Sequence, residues 1–231
     1  MSPAAWALAA AVVSAAAGWF MPRVIAALPE RDPDDEVTYA GIAASPRLPA
    51  SLSAVSAVVG GLLGGARAGH PDVVAFVVLG VLGTAMAYVD IRRHLLPDRL
   101  TVPALLSGAV LLAIAAVADP ATGGDDYARA WACAGALLLG YLLMALVYPA
   151  GLGLGDVKLA AALGLHLGWL GWGAPVVGTV AAFLVGGVIG VGLLVLGRAT
   201  RRSAVPFGPS MLVGAVVAVL WAEPITAWYL S

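Results

Sequence analysis

Eight apolar runs, at about 4–21, 50–66, 72–89, 101–118, 128–149, 157–172, 175–197 and 207–222, constrain this chain more than any other feature. Each is near the roughly 17–25 residues that a helix needs to cross the hydrocarbon, and the run at 157–172 is the shortest. Lipid offers no water to unpaired backbone groups, so spanning runs of this length are helices. A soluble fold with an enlarged core fails on composition. The 231 residues are 61% hydrophobic and 11% charged, whereas a soluble domain is about 45–50% apolar and about 25% charged. The expected fold is all-α, a polytopic membrane protein of about eight transmembrane helices forming one domain over residues 1–231, with a short cytoplasmic loop at about 22–49.

Charge placement orients these helices. Numbering the loops alternately puts Arg23, Arg31, Arg47, Arg92, Arg93, Arg99, Lys158, Arg198, Arg201 and Arg202 on one side, leaving only Arg67 and Arg129 on the other. Basic residues collect on the cytoplasmic side, so both termini are expected outside the cytoplasm. The first run has no basic residue before it and Arg23 after it, the reverse of a secretory signal, and reads as a retained span. The acidic run from Glu30 to Glu36 reads as a solvated loop, with weak attraction for a basic substrate segment as its functional alternative. The one cysteine, Cys133, sits in an apolar run, which excludes an intrachain disulfide and a cysteine-clustered zinc site and leaves a small buried hydrophobe.

Two carboxylates stand out against this background. Asp90 ends the third run in Val89-Asp90-Ile91-Arg92-Arg93-His94-Leu95-Leu96-Pro97-Asp98, and Asp156 opens the sixth after Gly151-Leu152-Gly153-Leu154-Gly155. Alternation puts both at cytoplasmic helix ends, at one depth. A carboxylate in or beside hydrocarbon costs a few kcal/mol, so it is a functional candidate by default. Two carboxyl groups about 3 Å apart cannot both ionise cheaply and share a proton. The ionised one takes a proton from water attacking a peptide carbonyl, while the protonated one polarises that carbonyl and later serves the leaving amine. This chemistry needs no metal and no cofactor. Gly153 and Gly155, lacking Cβ atoms, allow backbone to approach a substrate closely.

Other polar residues fit less well. Asp72, Asp119, Asp125, Asp126 and Glu223 fall on the outer side. Asp98 follows Pro97 in a turn, where it starts or caps a helix or supports the site. Lys158 points away from Asp156 on a helix and is expected at anionic headgroups or supporting the loop. His166 is expected near the outer interface, where Trp169, Trp172, Trp221, Trp228 and Tyr229 read as an aromatic belt.

Together these motifs resemble the type IV prepilin peptidase family of membrane aspartyl proteases. An Asp followed by a basic stretch and Leu-Pro-Asp matches Asp90 through Asp98, and Gly-x-Gly-Asp-hydrophobic-Lys matches Gly153 through Lys158. Val205-Pro206-Phe207-Gly208-Pro209 is similar to the family's closing segment, and Gly18 through Pro29 echoes the segment after its first helix. The resemblance implies catalytic roles for Asp90 and Asp156, with Gly153, Gly155, Lys158, Pro97 and Asp98 binding substrate or supporting the loop. It implies a bacterial plasma-membrane location and a role in type IV pili or protein secretion. Its implied partners are prepilin or pseudopilin precursors with short basic leaders, together with membrane lipid and no nucleic acid. Many members also carry paired cysteines in the first cytoplasmic loop and methylate the new N-terminus. This loop has no cysteine, which argues against methyltransferase activity.

Two rival readings remain. A non-catalytic transporter or channel component predicts mid-membrane acids and an internal repeat. An intramembrane protease of the presenilin type shares Gly-x-Gly-Asp but lacks the Leu-Pro-Asp and Pro-Phe-Gly-Pro segments.

Overall fold

The computed structural model describes residues 1–30, 37–147, 152–197 and 206–230. Among them are nine helices and no strand: α1 (Pro3–Ala26), α2 (Tyr39–Ala43), α3 (Leu48–Ala66), α4 (Val73–Arg93), α5 (Asp98–Ala118), α6 (Gly123–Val147), α7 (Leu154–Leu170), α8 (Gly173–Val195) and α9 (Gly208–Leu230). Gly151, Val205 and residues 31–36, which hold most of the acidic run, lie outside the described residues. All eight apolar runs are helical, and seven of these helices are long and apolar enough to cross a membrane. The exception is α7, with 17 residues.

Small residues let the helices approach one another, which replaces the hydrophobic drive that lipid does not provide. On α7, Gly164 and Gly168 lie against the backbone and side chain of Cys133 on α6. On α9, Gly214 lies against the backbone of Gly178 on α8, and Gly60 of α3 faces Ser14 of α1. Cys133 is a buried free thiol, as its apolar surroundings predict.

At the centre is α7, buried along almost its whole length and in contact with α5, α6, α8 and α9. It runs the full depth of the bundle. At one end Lys158 Nζ pairs with Asp98 Oδ1 at 2.6 Å, and at the other Trp169 Nε1 donates to Asp72 Oδ2 at 2.6 Å. Its length, about 25 Å at 1.5 Å per residue, is short because protein and not lipid surrounds it. A cavity of about 440 Å³ at the Asp72 end is lined by Arg67, Asp72, Arg129, Trp169, Glu223 and Thr226. The start of α1, where Ala7 meets Gly65, and the end of α9, where Thr226 meets Gly173, both belong to this end. Both termini therefore lie opposite Asp90.

Two outer-side expectations change. His166 is not interfacial: it is 1% exposed, its ring edge-on to Phe76 at 5.7 Å and pressed against Gly108, with Nδ1 bonded to Ala162 O at 2.8 Å. Trp169 leaves the aromatic belt for the core at 7% exposure, while Trp172 is 67% exposed. Asp72, just before α4, is also buried, and Arg67 grips its carboxylate with two hydrogen bonds. All three face the protein interior, where apolar neighbours hide them from a hydropathy reading.

Candidate active site

Three helix ends converge where α4 stops and α7 and α9 begin. Asp90 lies on the last turn of α4 and is buried. Its carbonyl accepts the His94 N–H at 2.8 Å, and His94 ends the helix in the left-handed conformation, φ 52°. That cap turns the chain into Leu95-Leu96-Pro97. Pro97, extended at ψ 138°, then opens α5 with Asp98 as its first residue. An acid there complements the helix dipole, as the turn reading of Asp98 requires.

Asp156 is the third residue of α7, and its Oδ2 accepts the Gly153 N–H at 2.9 Å, a bond that also caps the helix. Asp90 Oδ2 accepts the Gly208 N–H, the first of α9, at 3.0 Å. Each carboxylate thus holds one backbone donor that its helix start leaves unpaired. Leu96 ties the parts together. A Cβ built on Gly155 would stand 2.7 Å from Leu96 Cβ, and one on Gly208 would stand 3.1 Å from Leu96 Cδ1. Gly155 therefore makes room for the chain's own Leu96, where a close substrate approach was expected. Lys158 meets the carboxylate of Asp98 instead of a headgroup, in an exposed pair worth about 0–1 kcal/mol.

The first loop closes on the same end. Ile25, Leu28, Tyr39, Ile42 and Leu48 share one core with Val89, Leu96 and Val157. Tyr88 donates its hydroxyl to Ile42 O at 2.9 Å. Arg93, one turn beyond Asp90, pairs with Glu30 and lies 4.2 Å from the centre of the Tyr39 ring. Burial pushes the Glu30 carboxyl up, but Arg93 and the Tyr39 N–H outweigh it and hold the group below the usual range. Glu30, the described part of the acidic run, is thus engaged by Arg93 and Tyr39 at the protein surface. Nothing in the pattern of residues signals this latch, nor Tyr141, whose ring packs against Phe183 and Phe207 beside the site.

Residues 76–195, which include both aspartates, match the type IV leader peptidase family. The chain belongs to that family. It is 40% identical over 150 residues to a protein of Aeromonas salmonicida named prepilin leader peptidase/N-methyltransferase, a match covering 64% of this chain and 49% of that one. Proteins of the same name from Aeromonas hydrophila and Legionella pneumophila are 37% and 31% identical, over 64% of this chain and 49% and 50% of theirs. The chain spans about half the length of the curated relatives it matches. No solved structure matches.

Proposed function

We propose that this chain is an aspartic endopeptidase that removes the short basic leader from type IV prepilin-like precursors at the cytoplasmic face of the bacterial plasma membrane. What supports the reading is that Asp90, on the last turn of α4, and Asp156, on the first turn of α7, lie at converging helix ends, each accepting a hydrogen bond from a glycine N–H. Sequence relatives bear the name prepilin leader peptidase. The excess of basic residues at this end favours the cytoplasmic side.

The ionised member of the pair takes a proton from water as its oxygen attacks the scissile carbonyl. The protonated member donates a hydrogen bond to the carbonyl oxygen as charge grows there. Collapse of the tetrahedral species breaks the C–N bond, and a proton from the dyad goes to the amine. Methylation of the new N-terminus is not part of the proposal, because the first cytoplasmic loop has no cysteine.

Co-expression with a prepilin tests the reading, with leader loss read as a gel shift. Asp90→Asn and Asp156→Asn each abolish the shift while accumulating normally, and the double variant is no worse than either, since both acids act as one unit. Substantial cleavage by either single variant removes the dyad.

A further inference from the structure

Asp90 and Asp156 are oriented differently. Asp156 bonds within its own helix turn, whereas Asp90 depends on a donor 118 residues away at the start of another helix. Whatever fixes the start of α9 therefore fixes the Asp90 carboxylate. Phe207, immediately before Gly208, is clamped from two helices. Its ring centre lies 5.0 Å from that of Phe183 on α8 and 6.4 Å from that of Tyr141 on α6. Tyr141 and Phe183 stack on each other at 6.2 Å with 29° between their planes. The ring's edge lies over Gly186 of α8, where an added Cβ would stand 3.0 Å from Phe207 Cε2 and 3.2 Å from Cδ2. Neighbouring Gly187 faces open space, with nothing within 4 Å of its added Cβ.

We propose that Phe207 is a positioning residue: gripped by Tyr141, Phe183 and Gly186, it holds the Gly208 N–H on Asp90 Oδ2 and so fixes that carboxylate for water activation. The proposal rests on the peptidase reading. A hydrogen bond to a charged group weakens steeply as its donor moves, so a displacement of a few tenths of an ångström at Phe207 reaches the dyad.

Gly186→Ala and Gly187→Ala make the test. Both raise helix propensity equally, so an effect on helix stability alone appears in both. Gly186→Ala is expected to lower kcat for leader cleavage about 10-fold with KM unchanged, as for a weakened charge-assisted bond. Gly187→Ala stays within about twofold of the parent. Phe207→Ala lowers kcat at least as far, and adding Gly186→Ala to it has little further effect, because the two nearest atoms to the added methyl belong to Phe207, with Ser210 Oγ behind them at 3.3 Å. Equal behaviour of the two glycine variants overturns the proposal. So does additivity in the double variant, or a rise in KM at constant kcat, which would make the rings part of the substrate path. Hydrogen exchange at the Gly208 amide reads the clamp without turnover: it quickens in Gly186→Ala and Phe207→Ala and not in Gly187→Ala. If the parent protein cleaves no leader, the peptidase reading falls, and the exchange rates alone decide the clamp.

Discussion

A methyl group added at Gly208 would stand 2.8 Å from Asp90 Oδ2 and 3.1 Å from Leu96 Cδ1. At Gly155 it would meet Leu96 Cβ at 2.7 Å and Leu96 O at 3.0 Å, a backbone atom that cannot swing aside. At Gly153 its nearest neighbour is Asp156 Oδ2 at 3.5 Å, an ordinary contact. The three glycines of one site therefore differ in kind. Gly208→Ala and Gly155→Ala are expected to lose at least tenfold in leader-cleavage rate at equal membrane accumulation, equivalent to about 1.4 kcal/mol or more. Gly153→Ala keeps activity within a few fold, since exchanging an N-cap glycine for alanine costs about 1 kcal/mol at most. Equal loss at all three positions would mean that the loop serves substrate backbone directly. The glycines beside Asp156 stood out in the sequence. The reason for Gly155 was not legible, because nothing local says that Leu96, about sixty positions away in the chain, fills the gap.

Helix ends, more than helix faces, carry the specific polar contacts of this protein. At the Asp72 end, Asp72 is 1% exposed and holds Arg67 and the Trp169 indole, joining the start of α4 to the end of α7. Asp72→Ala leaves both partners without their acceptor, and breaking such a buried pair costs about 3–5 kcal/mol. The variant should unfold well below the parent in detergent yet keep its kcat at permissive temperature; a dead but stable protein would instead give Asp72 a part in the chemistry. At the other end, the Glu30–Arg93 pair ties the first loop to the helix that carries Asp90. Folding lowers the Glu30 pKa from its ordinary 4.5, because Arg93 and the Tyr39 N–H overcome the effect of burial. A depressed carboxylate stabilises the fold above its unfolded pKa, and that contribution is lost as pH falls through the folded value. The stability gap between the parent and Glu30→Gln should thus be constant at neutral pH and close only below about 4.5. A gap that persists in strong acid would show that the side-chain amide fails for a steric reason. Hydropathy could not reveal either device. In a bilayer, lipid-facing and core-facing surfaces are both apolar, so buried Trp169 and exposed Trp172 sit in the same kind of sequence.

For the molecule as a whole, the eight apolar runs were readable as helices, but only seven of those helices are suited to spanning by length and composition, and the standing of the shortest depends on packing. By length alone α7 falls short of the seven helices suited to spanning. Its contacts, Lys158 with Asp98 at one end and Trp169 with Asp72 at the other, carry it through the same depth as α4. Counted as a crossing, α7 makes the proposed number even, with the start of α1 and the end of α9 opposite Asp90. Among the described residues, Arg23, Arg47, Arg92, Arg93, Arg99 and Lys158 belong to the helix ends on the Asp90 side, and Arg67 and Arg129 to the other. A reporter active only in the cytoplasm should therefore work when fused after Arg93 or Arg201 and fail after Asp125 or Ser231. Activity at Ser231 together with Arg93 would require an odd number of crossings and remove α7 from the count. Asp156 would then lie at the wrong depth to meet Asp90, and the dyad would fall with the topology. Activity at Asp125 and Ser231 alone would invert the protein and put the dyad outside, beyond the reach of a leader held in the cytoplasm. The fusion series thus tests the chemistry through geometry, without measuring any cleavage.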